Sequence, residues 1–394
     1  MKIGIITLLG HFNYGNRLQN YALQEFLSKF NVKVDSLWFD KNKWDSPFAY
    51  MPTLPLKREY SFKSYLKDKI KFILNWKGYR EKSFLLKKYY GEECIRQYNI
   101  KKFSDKYINI NYNYQIENAI YNSKKMLDFS NKLEREYAYF IVGSDQIWYP
   151  NIDFYYIKFL RFISPNKRIA YAPSLAINRL SKKSTIDVDL LKKGFSEMKN
   201  ISVREKAGSK IIYNLIKKEV PVLVDPTILL SKEKWQMISE KPNWYNGENY
   251  ILTYFLGNPS PIIKKIAKKN NWKIYNLMDR DNFNLYTSKV EEFLYLIEQA
   301  KLVCTDSFHG TVFSILMNTP FLVVNRQEKG MPDMTSRIDT LMELFDYQDR
   351  YIVNGKCDLS DEEILQMDFS TVKIIQEREI KRSTEYMKKA LKLE

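Results

Sequence analysis

The sequence predicts an α/β protein made of two doubly wound, Rossmann-like domains. Its 394 residues suit two domains of about 150–200 residues each. Apolar strand patterns alternate with helical patterns along both halves of the chain. Several of these strand patterns end in polar residues, which is where ligands bind in open α/β sheets.

The N-terminal half opens as a β-α-β unit. Residues 2–8 are typical of a buried parallel strand, residues 17–29 have helical spacing of apolar side chains, and residues 32–38 form the next strand. Three further strands end in polar loops. They are predicted at 138–142, 168–172 and 201–203.

The second half repeats this alternation. A helix at 290–300 precedes one of its strands, and a helix at 308–317 follows the same strand. The strands of this half are predicted at 220–224, 250–255, 273–277, 302–305 and 321–325.

These patterns give a division into two domains and a tail. Ser, Lys and Thr cluster at about 178–190, so we predict an N-terminal domain over 1–185 and a C-terminal domain over 186–370. Residues 371–394 are predicted to form a helix that packs back on the first domain. Residues 57–90 read as a basic helical insertion in that domain.

The composition narrows the class of protein. Three unpatterned cysteines, Cys94, Cys304 and Cys357, argue against a disulfide framework and a zinc site. No apolar run reaches the roughly 18 residues of a membrane span, and no signal-peptide pattern opens the chain, so we predict a cytoplasmic protein.

The net charge of +17 favours anionic partners, although a Lys-rich, Asn-rich and Tyr-rich genome also explains much of it. Nucleic acid is disfavoured because no nucleic-acid-binding motif is present. Residues 57–88 hold eleven basic and three acidic residues. This stretch is either a solvated helix pair or a patch that docks on the inner face of an anionic membrane.

Only two histidines occur, His11 and His309. His309 follows an apolar strand at the start of a helix, where Asp306 or Ser307 can act as the N-cap. Exposed backbone N–H groups at such a helix start can hold an anion, and a histidine there can exchange protons near neutral pH. The alternative is a histidine that caps the helix or is satisfied in the core.

Two charged residues at other strand ends are further candidates. Arg204 can bind a carboxylate or phosphate with two parallel hydrogen bonds, or it forms a structural pair with Glu205. Asp145 is a candidate base or hydroxyl-orienting group, or a turn residue. The loop at 10–16 resembles a phosphate-binding turn only weakly. Asp225 and Asp306 suit a metal ion, but nothing enforces one.

Taken together, these segments resemble the polysaccharide pyruvyl transferase family over about residues 3–345. Five strings carry the resemblance in order: Gly15–Gln24, Gly143–Trp148, Ser202–Glu205, Asp225–Thr227 and, most specifically, Asp306–Thr311. The resemblance implies a glycosyltransferase-B-like arrangement of the two domains around a central cleft. It also implies transfer of pyruvate from phosphoenolpyruvate to a hexose of a cell-surface polysaccharide, as a ketal, with no further cofactor.

The resemblance also implies roles for individual residues. His309 is the expected general acid and base, and Asp145 the second catalytic residue. The donor site on the C-terminal side is expected to comprise Arg204, Ser307, Gly310 and Thr311. The acceptor or loop site, which takes a glycan that is polymeric or lipid-linked, is expected to comprise Gly15, Asn16, Gln19, Asn20, Ser144 and Gln146.

One departure from the family pattern concerns the donor site. Some members carry Arg-Leu-His where this chain has Ser307-Phe308-His309, and a serine supplies no positive charge. Arg204 alone, or Arg326, Arg337 or a nearby lysine, would then hold the phosphate. The rival hypotheses are a nucleotide-sugar-dependent glycosyltransferase of the same fold and a non-catalytic scaffold of polysaccharide assembly.

Overall fold

The computed structural model describes residues 1–39, 88–114, 123–149, 155–180, 188–255, 261–324, 335–352 and 357–393. The predicted basic insertion at 57–90 lies outside the described residues except for its last three. The membrane-docking patch expected there, and Arg326, likewise lie outside them.

Within the described residues, the first sheet has six strands and the second has five. The strands of the first sheet are β1 (Lys2–Ile6), β2 (Lys33–Leu37), β3 (Ile110–Asn111), β4 (Tyr139–Val142), β5 (Arg168–Ala170) and β6 (Asn200–Ile201). All neighbours pair in parallel, in the order β3-β2-β1-β4-β5-β6, which is a doubly wound order. Its topological switch point therefore lies between β1 and β4.

The second sheet has five strands. They are β7 (Tyr250–Tyr254), β8 (Lys273–Asn276), β9 (Leu302–Thr305), β10 (Phe321–Val324) and β11 (Tyr351–Ile352). These also pair in parallel, in the order β11-β10-β9-β7-β8, with the switch point between β7 and β9. The prediction of an α/β fold with two parallel sheets is confirmed.

The helices of the described residues surround and join the two sheets. They are α1 (Tyr14–Ser28), α2 (Tyr90–Tyr107), α3 (Ser123–Glu136), α4 (Tyr155–Lys158), α5 (Val188–Ser196), α6 (Lys206–Ile216), α7 (Lys232–Gln236), α8 (Ile262–Asn270), α9 (Phe283–Tyr286), α10 (Val290–Gln299), α11 (Phe308–Met317), α12 (Ser336–Phe345), α13 (Asp361–Leu365) and α14 (Val372–Leu391). Short 3-10 turns lie at Asp145–Trp148, Pro165–Lys167, Pro226–Leu229 and Gln348–Arg350.

We call each sheet with the helices around it a unit. Helix α1 is enclosed between the first sheet and the second unit, so all its residues from Tyr14 to Gln24 are buried. It begins three residues earlier than the apolar spacing predicts, because the Asn13 side chain caps it by accepting from the Asn16 N–H at 3.2 Å. The Tyr14 ring stacks on Phe293 with centroids 4.7 Å apart. The helix thereby joins the two units through a shared apolar core.

We predicted that the segment at 220–224 forms a strand of the second sheet, and this prediction is wrong. It forms a single parallel bridge, Val203 to Val222, beside the first sheet, and the chain then turns into the 3-10 turn at Pro226–Leu229. Pro221 has no N–H to extend the pairing. Because β6 also belongs to the first sheet, the elements of that sheet continue well past the boundary expected at residue 185.

The C-terminal helix α14 contacts the first sheet. The Tyr386 hydroxyl donates to the Ala170 carbonyl at 2.8 Å, and the Tyr171 hydroxyl donates to Ser383 at 3.0 Å. Neither α14 nor any other helix of the described chain combines the length and apolar character that a membrane span requires.

Candidate active site

The loop from β9 into α11 places His309 at the switch point of the second sheet. Ser307 is the N-cap residue of α11, and its hydroxyl accepts from the Gly310 N–H at 3.3 Å. The Thr311 hydroxyl donates to the Ser307 carbonyl at 3.0 Å. A Cβ on Gly310 would lie 2.8 Å from the Thr305 hydroxyl. Ser307, Gly310 and Thr311 thus hold the turn that presents His309, and their expected donor contacts stay a prediction.

His309 is buried between the starts of two helices. Its Nε2 lies 3.7 Å from Oδ2 of Asp225. A Cβ on Gly15, in the first turn of α1, would lie 2.1 Å from its Nδ1. Only glycine therefore allows α1 to approach the imidazole this closely. Gly15, which we expected in the acceptor or loop site, therefore lies against His309, and the roles of both residues stay predictions.

Arg204 pairs with two carboxylates that are distant in the sequence. It donates to Oδ2 of Asp225 at 2.5 Å and to Oδ1 of Asp145 at 3.1 Å, and its Cζ lies 4.2 Å from the centre of the Phe308 ring. The side chain is 2 % exposed, so both ion pairs are shielded from water. For the role proposed below, we call Asp145, Arg204, Asp225 and His309 the catalytic cluster.

The alternative pair of Arg204 with Glu205 does not form. Glu205 instead accepts from the backbone N–H groups of Leu175 at 2.8 Å and Ala176 at 3.2 Å. Neighbouring residues of an extended segment point to opposite sides, so Arg204 faces the cluster and Glu205 faces away. Burial raises the pKa of Glu205.

Asp225 is the hub of the catalytic cluster. From the sequence it is a weak metal candidate and the first residue of the family string Asp225–Thr227, with no catalytic role assigned. It accepts from Arg204, from the Ser144 hydroxyl at 3.1 Å, and from the Thr227 N–H at 3.0 Å and hydroxyl at 2.7 Å. Burial acts to raise its pKa, but His309, Arg204 and these hydrogen bonds outweigh it and hold the pKa well below the usual range.

Asp145 lies at the end of β4, at the switch point of the first sheet. Burial acts to raise its pKa, but the charges of Arg204, His309 and Arg337 lower it below its ordinary value. Arg337, at the start of α12, lies 4.0 Å from Asp145 Oδ1. Its guanidinium nitrogens lie 2.7 Å from the Gln146 amide oxygen, in the orientation that satisfies both groups. Of the substitutes considered for the missing donor-site cation, Arg337 therefore lies beside the cluster.

The polar residues of α1 divide between two directions. Gln19 donates to the Thr7 hydroxyl at 2.8 Å and accepts from the Ser144 N–H at 3.1 Å, so it ties α1 to the strand ends. Asn20 accepts from the Ser36 hydroxyl at 2.7 Å and faces β2. Asn16 is buried near the start of the helix. Among the predicted acceptor residues, Ser144 thus bonds directly to Asp225 of the catalytic cluster, and Gln19 bonds to Ser144.

A cavity of about 410 Å³ opens beside Arg204, Asp225 and Arg337. Cations outnumber carboxylates in its wall, so it suits an anionic ligand. The charged residues that line it are Arg204, Lys206, Arg337, Arg378, Arg382, Asp225, Glu343 and Glu379.

The fold and site define a doubly wound α/β protein whose polar groups converge from two switch points. The family model described as polysaccharide pyruvyl transferase matches residues 13–328, and the chain belongs to that family. No curated protein sequence matches the chain.

Solved structures resemble the chain over almost its whole length. UDP-GlcNAc 2-epimerase from Methanocaldococcus jannaschii has 14% identity and a TM-score of 0.48, covering 98% of this chain and 100% of its own. The 2-epimerase from Neisseria meningitidis has 11% identity and a TM-score of 0.45, covering 100% and 98%. MurG from Acinetobacter baumannii has 10% identity and a TM-score of 0.39, with the same coverage. At these TM-scores, the fold assignment rests on the chain's own sheets.

Proposed function

We propose that this protein transfers pyruvate from phosphoenolpyruvate to a hexose of a cell-surface polysaccharide or of its lipid-linked precursor. The product is a pyruvate ketal, and the remaining product is phosphate. The observation that carries the proposal is the convergence of His309, Arg204 and Asp145 in one buried cluster, in a chain of the pyruvyl transferase family.

Arg204 and Arg337 are the proposed donor clamp. Phosphoenolpyruvate carries close to three negative charges, and guanidinium groups bind carboxylates and phosphates with paired hydrogen bonds. Both arginines line the cavity of about 410 Å³. In this assignment Arg337 supplies the charge that Ser307 lacks.

His309 is the proposed general acid and base. An acceptor hydroxyl adds to C2 of the donor while His309 delivers a proton to C3, and the proton of that hydroxyl passes to the phosphate group of the donor. The bond from C2 to the phosphate oxygen then breaks, and a second sugar hydroxyl attacks C2, losing its proton to the histidine. The ionised Asp225 carboxylate, 3.7 Å from Nε2, stabilises the ring whenever it carries the extra proton.

Asp145 is proposed to orient the acceptor hydroxyls. Its lowered pKa makes the carboxylate a weak base, although it remains an ionised hydrogen-bond acceptor at neutral pH. Orientation of two hydroxyls toward one carbon is a large part of what ketal formation requires.

The remaining assignments follow from the same reaction. The partners would be phosphoenolpyruvate and a glycan acceptor, and the protein would act in the cytoplasm, at the inner face of the membrane when the acceptor is lipid-linked. The acceptor side would be the N-terminal unit and the donor side the C-terminal unit, around the cleft of a glycosyltransferase-B-like arrangement.

The test is calorimetric titration with phosphoenolpyruvate, with UDP-glucose as the rival donor. Wild type and Arg135→Gln, whose arginine is exposed on α3, are expected to bind phosphoenolpyruvate equally. Arg337→Gln is expected to bind it at least tenfold more weakly. Binding of UDP-glucose in place of phosphoenolpyruvate would overturn the proposal in favour of a glycosyltransferase.

A further inference from the structure

Five residues around the start of α1 have buried polar atoms that find no hydrogen-bond partner within the described residues. The atoms are both ring nitrogens of His11, Oδ1 of Asn16, Nε and Nη1 of Arg17, Nδ2 of Asn20 and Nε1 of Trp38. We call these residues the α1 cluster. Buried polar groups are nearly always satisfied, so such a concentration indicates a ligand.

Arg17 is the most informative member of the α1 cluster. Its side chain is 0 % exposed, donates to the Leu8 carbonyl, and lies with Cζ 5.1 Å from the centre of the Trp38 ring. No carboxylate of the described residues lies within ion-pair distance of it, whereas Arg204 has two. Burial lowers the pKa of Arg17 to about 10, although Asp145 and Tyr112 act to raise it. A buried cation without a counter-ion is unfavourable, so an anion is the missing partner.

The other members narrow the ligand further. Arg17, Trp38 and Asn20 have spare donors, but Asn16 has a spare acceptor, and the neutral His11 ring has one donor and one acceptor. Burial, with Arg17 and Lys101, lowers the pKa of His11 to about 3, so this ring is neutral near pH 7. Fully ionised phosphoenolpyruvate has no hydroxyl to give to Asn16. A sugar that carries an anionic group satisfies both kinds of atom.

The position of the α1 cluster connects it to the reaction. His11 lies in the loop after β1, Trp38 directly follows β2, and Asn16 and Arg17 lie in the first turn of α1. Asn16 is next to Gly15, which packs against His309. A ligand here lies at the β1/β4 switch point, close to the proposed acid and base.

We infer that the α1 cluster is the acceptor subsite and that the acceptor sugar carries a carboxylate or a phosphate, which Arg17 binds. The assignment of the sugar as the acceptor rests on the proposed function. Binding of an anionic sugar at the α1 cluster can be tested without it.

The experiment compares three hexoses that differ in one group: glucose, glucuronate and glucose 6-phosphate. Binding is measured by ligand-observed NMR and by quenching of Trp38, with Trp38→Phe identifying its signal among the seven tryptophans. Wild type and the control Arg161→Gln, whose arginine pairs with Glu197, are expected to bind at least one of the two anionic hexoses tenfold more tightly than glucose. Arg17→Met is expected to lose that preference and to keep its affinity for phosphoenolpyruvate within twofold.

A second readout separates a binding role from a structural one. Because Arg17 has no counter-ion among the described residues, Arg17→Met is expected to melt at the same or a higher temperature without ligand. A lower melting temperature with unchanged sugar preference would overturn the inference. So would a tenfold loss of phosphoenolpyruvate affinity, which would make Arg17 a donor clamp.

A further variant tests the inference even if Arg17→Met fails to fold. Asn16→Asp places a negative charge beside the anion, and it is expected to bind glucose more tightly than glucuronate. If Asn16→Asp keeps the wild-type preference, the assignment fails. Failure of the proposed function would appear separately, as wild type that binds an anionic hexose but no phosphoenolpyruvate.

Discussion

The α1 cluster lies at strand ends of the first sheet and the catalytic cluster at strand ends of both sheets, yet their charges are balanced in opposite ways. Arg204 is neutralised by Asp145 and Asp225, and Asp225 has four donors around it. Arg17 is equally buried and has one backbone carbonyl as its acceptor among the described residues. The chain itself therefore preorganises the catalytic cluster, whereas a bound ligand supplies the missing partners of the α1 cluster.

We expect the largest loss of activity when His309 of the catalytic cluster is replaced. His309→Gln removes the acid and base but keeps a polar side chain of similar size, so turnover is expected to fall about 10²–10⁴-fold. Phosphate release from phosphoenolpyruvate, measured with a panel of neutral and anionic hexosides, is the readout. An unchanged donor affinity would show that the site is intact. A variant that turns over at the wild-type rate would rule out the role of His309.

The sequence predicts the surroundings of His309 well, because local signals determine them. The strand at 302–305 and the helix at 308–317 form with those bounds, since an apolar β-rich run is followed at once by the N-cap residue Ser307. Such signals involve neighbours in the chain. The apolar run at 220–224 shows their limit, because a single bridge to Val203 is all the pairing that it finds.

The ion pairs could not be predicted in this way. Arg204 meets Asp145 and Asp225, which are 59 and 21 residues away, while the adjacent Glu205 faces elsewhere. The importance of Arg17 also escaped the sequence, since a lone arginine at a helix start is ordinary. Its signal is that no carboxylate of the described part of the chain lies nearby, and only the folded structure shows this.

The second prediction concerns two separate variants, in which one or the other buried arginine is replaced by methionine. Arg204→Met leaves two buried carboxylates without their cation, so the free energy of unfolding is expected to fall by about 3–5 kcal/mol. Arg17→Met is expected to leave it unchanged or to raise it. Urea denaturation at pH 7 measures both, since the substitution is the same. Equal destabilisation by the two variants would contradict the contrast between the clusters.

The third prediction uses pH to test the neutral ring of His11. Its pKa is lowered from 6.5 to about 3 by burial, Arg17 and Lys101, so between these values the unfolded chain takes up a proton that the folded chain does not. Stability is therefore lost as the pH falls through this window, by about 2 kcal/mol between pH 6.5 and 4.5. His11→Phe keeps a ring beside Trp38 and is expected to lose that much less stability over the same interval.

The interval is chosen to exclude the two carboxylates of the catalytic cluster. The lowered pKa values of Asp145 and Asp225 confine their contribution to acid unfolding below about pH 4. Thermal or urea unfolding curves at half-unit steps of pH would show the difference. Parallel curves for wild type and His11→Phe would mean that His11 takes up its proton in the folded state at its ordinary pH.

We expect the smallest effect from a substitution at Gly15, where α1 contacts His309 and so connects the two clusters. Gly15→Ala places a methyl group 2.1 Å from Nδ1 of His309, so the imidazole must move although every polar group remains. Displacement of a catalytic group by about 1 Å costs up to about 100-fold, and turnover is expected to fall about 10–100-fold. The matched control is Gly91→Ala on α2, where a Cβ meets no atom within 4 Å and alanine favours the helix. If Gly15→Ala keeps full turnover, the contact between α1 and His309 does not set the geometry of the reaction.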